Sequence, residues 1–160
     1  MASTVDSICF AQAPIAADVA RGVVRLFCRQ DLFAVCEMPL PNGRRADLMA
    51  IDSRGGLTIV EIKVAKADLI GDSKWGDYLD YCDHFFWAVP PHLAALLDQH
   101  RYLPGAAGLI VADRYDAAIV RAAAHRPMAP ARRKSELLNF ARRAARRLSA
   151  QIDPSLGEAS

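Results

Sequence analysis

Polar and apolar positions alternate from Ile59 to Val64, so Ile59, Glu61 and Lys63 fall on one face of a strand and Val60, Ile62 and Val64 on the other. A second such run, Ala46 to Ile51, precedes it across Asp52-Ser53-Arg54-Gly55-Gly56, a turn sequence whose glycines accept positive φ. The pattern predicts an antiparallel hairpin of Ala46–Ile51 with Leu57–Val64. Counted from Asp47 to the turn and back to Glu61, the two arms are of similar length, so the two acids meet across the pair.

Other stretches follow the helical period. Val19, Val23, Leu26 and Phe27 predict a helix over 17–29, with Asp18 favourably placed at its positive end. A first strand over 32–38 ends at Pro39-Leu40-Pro41-Asn42-Gly43. Beyond the hairpin, Asp72 or Ser73 is an N-cap candidate for a helix that buries Trp75, Tyr78, Leu79 and Cys82. Apolar strands are expected at 85–89 and 108–112, with a connecting helix over 92–97. The expected class is α/β, a central mixed sheet flanked by helices and followed by a basic C-terminal helix.

That last helix changes the charge picture. Net charge is only +2, but residues 1–120 carry 11 Lys/Arg against 15 Asp/Glu, while 121–150 carry nine Lys/Arg against Glu136 alone. Over 132–148, Leu137, Phe140, Ala141, Ala144, Ala145 and Leu148 define an apolar side, with Arg142, Arg143, Arg146 and Arg147 opposite. Three readings stand for the arginines: a solvated face on a docked helix, contact with DNA phosphates, or a membrane surface. The alanine-rich apolar side, without tryptophan, argues against the membrane.

At 160 residues and 52% hydrophobic content the chain can bury a full core, read as one domain over 1–150 with a lead-in over 1–15 and a flexible tail over 151–160. No apolar run reaches the roughly 18 residues of a membrane span, so the expectation is a soluble cytoplasmic protein without a membrane partner. Ala11-Gln12-Ala13 imitates a signal-peptidase site, yet no basic stretch precedes it and Asp6 interrupts it. Cys9, Cys28, Cys36 and Cys82 lack the spacing of a zinc site and read as reduced thiols. His84, His92, His100 and His125 are too dispersed for a ligand set, and there is no nucleophile elbow, phosphate loop or dinucleotide fingerprint.

The chemistry therefore concentrates on Asp47, Glu61 and Lys63. Charges interrupting an apolar strand are rarely buried unless paired or metal-bound. Two carboxylates, with a backbone carbonyl such as that of Ile62, satisfy a hard cation that keeps several waters. The alternative is an ordinary solvated strand face.

The string RRADLMAID…TIVEIKV resembles the PD-(D/E)XK nuclease superfamily, and its continuation DSKWGDYLDYCDHFFWAVP is similar to the MmcB family of DNA repair proteins. The resemblance runs from about residue 32 to 113 and on to the basic C-terminus, and implies a restriction-endonuclease-like core: a helix, a three-strand meander, a helix and a further strand. It implies a DNA repair protein hydrolysing phosphodiester bonds, with Asp47 and Glu61 as ligands of Mg²⁺ or Mn²⁺ and Lys63 positioning water or stabilising the phosphate. Lys74 takes a supporting catalytic role by the same resemblance, with Asp72 and Tyr78 as further candidates. Ala46 stands where the superfamily's eponymous proline would be. Glu37 is expected either as an additional metal ligand or as a partner of Arg44 or Arg45, and those two arginines as phosphate contacts or as groups that hold the acids in place. A catalytically inactive nuclease fold that binds DNA and recruits repair partners is the alternative. A homodimer, as in superfamily members that cut both strands, stays open.

Overall fold

The computed structural model describes residues 13–157. Cys9, the Ala11-Gln12 pair and most of the expected lead-in lie outside the described residues. Helix α1 (Ala16–Arg29) precedes strands β1 (Phe33–Pro39), β2 (Arg45–Ile51) and β3 (Leu57–Ile62). Helix α2 (Lys66–Gly71), β4 (His84–Val89), β5 (Gly108–Ala112), β6 (Ala117–Arg121) and α3 (Pro130–Ile152) follow. The six strands form one mixed sheet in sequence order. β1, β2 and β3 make an antiparallel meander, β3, β4 and β5 run parallel, and β6 returns antiparallel to β5.

The sheet is covered on both faces, which explains why its central strands are apolar almost throughout. One face carries α1 through Val19, Val23, Leu26 and Phe27, packed on Leu48, Val60 and Ile110. The other holds Met49, Ile59 and Trp87 under Leu69, Trp75, Tyr78, Leu97 and Tyr102 from the two crossover connections, with Phe140 from α3. Ile59 and Val60 belong to opposite faces, as the alternation requires.

The hairpin turn works as its residues suggest. Asp52 Oδ1 accepts from Arg54 N and Gly56 N, both at 2.8 Å, and Gly55 takes φ 81°. A Cβ at Gly56 would stand 2.4 Å from the Asp52 carboxylate, so only glycine fits beside that bond.

α3 is anchored by a buried acid. Asp83, just before β4, accepts from Leu57 N at 2.8 Å and Met128 N at 3.1 Å, and forms a bidentate pair with Arg133 whose Nη1–Oδ2 arm is 2.8 Å. These contacts hold its carboxyl at about 2 despite burial.

Six details differ from the sequence reading. β3 ends at Ile62, two residues early, and α2 and the edge strand β6 were not expected. The segment Trp75–Tyr81 is 3-10 rather than α-helical, although Trp75, Tyr78 and Cys82 are buried as read. Residues 91–98 are likewise 3-10. α3 continues to Ile152 and docks through Arg133, Glu136, Leu137, Phe140 and Ala144, leaving Ala141, Ala145 and Leu148 exposed. No helix among the described residues is long and apolar enough to cross a membrane.

Candidate functional site

Where β2 and β3 stop pairing, side chains take over the ladder. The last backbone pair is Leu48 with Val60. One step further, Asp47 N donates to Glu61 Oε1 at 3.2 Å and Ile62 N donates to Asp47 Oδ2 at 2.8 Å. Each carboxylate thus spends one oxygen on the opposing backbone. Neither Asp47 Oδ1 nor Glu61 Oε2 has a protein donor among the described residues. These groups stand at the carboxyl end of β3, beside its parallel neighbour β4, where open α/β sheets place ligands.

The position is also where the strands change phase. Val35 and Met38 are buried on the same face although three residues apart, because Glu37 between them takes φ 50°. A non-glycine residue in that region is strained. The distortion turns the Glu37 side chain outward, where it is 64% exposed and pairs with Arg45 at 3.7 Å.

An open cleft of about 540 Å³ surrounds the acids, lined by Arg45, Asp47, Glu61, Ile62, Lys63, Asp68, Asp72 and Tyr78 among others. Four carboxylates face two cations in this lining. Glu61 is only 4% exposed. Burial first, then the neighbouring Asp47, push its carboxyl up to about 8. Asp47 is raised too, chiefly by burial, against the Ile62 N–H and the Lys63 charge. Two like charges out of water resist joint ionisation, and a dication between them would relieve both costs.

Lys63 follows the end of β3, its backbone N–H bonded to Ala88 O at 3.0 Å. Its Nζ lies 2.9 Å from Asp72 Oδ2, with both side chains largely buried. Burial would lower its pKa, but Asp72, Glu61 and Asp47 outweigh that and hold it above the usual range. Lys63 is a fixed ammonium.

Asp47, Glu61, Lys63 and Arg45 therefore reach one cleft, together with the further candidates Asp72 and Tyr78, the tyrosine hydroxyl donating to Arg45 O at 3.2 Å. Lys74 does not line this cleft; exposed at the start of the 3-10 segment, it donates its backbone N–H to Asp72 Oδ1 at 3.0 Å. Glu37 is also outside the lining, for the backbone reason above. Arg44 points to Asp77, Nε to Oδ2 at 3.0 Å.

The arginines of α3 divide. Arg142 and Arg146 are exposed, whereas Arg147 Nη2 donates to Glu37 O at 3.2 Å and Arg143 Nε is buried without a partner among the described residues. Arg142, Arg143 and Arg146 border a second cleft of about 570 Å³ with Pro39 and Asn139.

The donor set suits a cation modestly. Among the described residues no cluster of three or more His, Cys, Asp or Glu side chains forms a metal site. Asp47 and Glu61 supply two oxygens and Ile62, whose carbonyl the sequence suggests as a third, lines the same cleft, which fits a dication that keeps most of its waters.

A profile of the family described as "DNA repair protein MmcB-like" matches residues 5–155. The chain belongs to the MmcB-like family. A solved structure, the SPO1766 protein of unknown function from Silicibacter pomeroyi, is similar with a TM-score of 0.80 and 40% identity, over 91% of this chain and 95% of that one. No curated protein matches. The MmcB-like fold is thus a mixed α/β domain with a six-stranded mixed sheet flanked by helices.

Proposed function

We propose that this MmcB-like protein acts in DNA repair through a nuclease-type site on a PD-(D/E)XK core, hydrolysing DNA phosphodiester bonds with Mg²⁺ or Mn²⁺. The observation that carries the reading is the Asp47–Glu61 pair: two raised carboxyls, each with one uncommitted oxygen, beside an ammonium in an open cleft. Family membership supports the DNA repair role.

Asp47, Glu61 and the Ile62 carbonyl would hold the cation, which when bound polarises a phosphoryl oxygen and acidifies a water. Arg45 orients the incoming phosphate at the mouth of the cleft. Lys63, kept protonated by Asp72, donates to the charge that builds on the phosphoryl oxygens and does not remove the proton from water. Arg142 and Arg146 contact the backbone at a distance, setting affinity without reading sequence.

A second reading has its own observation. The 2.9 Å pair ties Lys63 to Asp72, and a site whose ammonium stays tied would bind DNA and recruit repair partners without cutting. Incubation of the full chain with single-stranded and branched DNA at millimolar Mg²⁺ or Mn²⁺ separates the two. Cleavage abolished by Glu61→Gln supports hydrolysis; binding without cleavage in either metal contradicts it.

A further inference from the structure

The side of α3 that its sequence marks as apolar is only partly used for docking. Leu137, Phe140 and Ala144 face the body of the protein, while Ala141, Ala145 and Leu148 stay in solvent. With Leu138 and Ile152 these three form a line. Leu138, Ala141, Ala145, Leu148 and Ile152 succeed one another at steps of three, four, three and four residues, the period that turns one seam of a helix toward a second helix. Leu138 is 61% exposed, Leu148 60% and Ile152 88%. A single exposed leucine needs no explanation, but an aligned row over about 21 Å of helix is a face without its partner.

The charges beside the seam indicate the partner. Arg142 and Arg146, each one residue after a seam alanine, stand along one side, both exposed. Lys134, four residues before Leu138, is exposed at the near end of the line. Toward the opposite side lies the hairpin turn, where a Cβ at Gly55 would stand 3.5 Å from Leu137 Cδ1 and the neighbouring Arg54 is exposed. Among the described residues none of these four cations pairs with a carboxylate. Glu136 is buried, and Asp153 at the far end already accepts from Ser155 N and Oγ.

Three occupants fit poorly. Two copies joined seam to seam would crowd Arg142 and Arg146 of both helices together with no acid between them. A phosphate backbone gives leucines nothing to bury against. A lipid surface calls for a broader apolar face than a line with alanines at its middle.

We propose that the seam receives an acidic amphipathic helix of a partner protein, its apolar side chains on Leu138, Leu148 and Ile152 and its carboxylates toward Lys134, Arg142 and Arg146. The inference goes beyond the nuclease reading and needs no cleavage. Arg142 and Arg146 are shared with the proposed DNA contact, so an occupied seam withdraws them from phosphate.

The test is calorimetric titration of the full chain with a three-heptad synthetic peptide, leucine at the first and fourth position of each heptad and glutamate at the flanking ones. Wild type binds it one to one, and a peptide with lysine in place of each glutamate does not bind. Leu138→Gln with Leu148→Gln weakens binding by about tenfold or more and leaves the urea midpoint unchanged, because both side chains are already in solvent. Arg142→Gln with Arg146→Gln weakens it about threefold at low salt. No binding, equal binding of the lysine peptide, or a double leucine variant that binds like wild type or unfolds early overturns the proposal. So does self-association in sedimentation, or binding to phosphatidylserine vesicles, that the leucine substitutions abolish, for these assign the seam to a second copy or to lipid. Peptide binding that fails to displace duplex DNA supports the seam and contradicts the DNA contact assigned to the two arginines.

Discussion

Asp47 and Glu61 close the β2–β3 ladder with their side chains, each carboxylate accepting an N–H from the strand of the other. This exchange fixes both groups without consuming their second oxygens, and it leaves two raised carboxyls at the edge of the sheet.

A pH dependence of stability follows. In the folded chain Glu61 keeps its proton to about 8, whereas unfolded it loses it near about 4.3. The folded state binds more protons between these values, so stability falls as pH rises through that window. Without divalent cation, Glu61→Gln raises stability at pH 7 by about 1–3 kcal/mol in urea unfolding. Mn²⁺ stabilises wild type and leaves Glu61→Gln unchanged.

Lys63 and Asp72 act as a unit. Lys63→Met lowers kcat for DNA cleavage by about 10²–10³ by removing a donor to the developing charge. Asp72→Asn keeps the ammonium but loosens its position, for about 10²-fold. In both, KM changes little. A Lys63→Met enzyme with wild-type turnover contradicts the assigned role.

The proposed function expects affinity for duplex DNA to depend on the exposed arginines of α3. A log–log salt titration loses about 0.9 in slope for each phosphate contact removed. Arg142→Gln with Arg146→Gln reduces the slope by about two such contacts. Arg147→Gln has a smaller effect, because its guanidinium already serves Glu37 O.

Asp83 is the structural counterpart of these acids. Asp83→Ala strands Arg133 and two buried N–H groups and costs about 3 kcal/mol in urea unfolding. Because its carboxyl is lowered to about 2, its contribution is fully present above about pH 4 and is lost as pH falls through about 2. Wild type therefore loses more stability than Asp83→Ala over that range.

The hairpin was legible in the sequence because a period of two, ended by Asp52 and Gly55-Gly56, leaves few alternatives. Its face assignment put Glu61 and Lys63 together before any coordinates. The distorted β1 was not legible: nothing in a glutamate announces φ 50°, so Glu37 could be read as facing the site. Asp72 was read chiefly as a helix cap, since its approach to Lys63 depends on the short α2 turning the chain back. The 3-10 period explains the other departure, for Trp75 and Tyr78, three apart, stack on one side of such a turn as readily as on an α-helix. The edge strand β6 carries only a weak, alanine-rich alternation, and tertiary pairing with β5 decides it.

The most direct test of the account is a crystal soaked in Mn²⁺ near pH 8 and measured at the manganese edge. The account predicts an anomalous peak about 2.1 Å from Asp47 Oδ1 and Glu61 Oε2, with Lys63 still beside Asp72. A well-ordered Asp47–Glu61 pair with no peak between its free oxygens contradicts it.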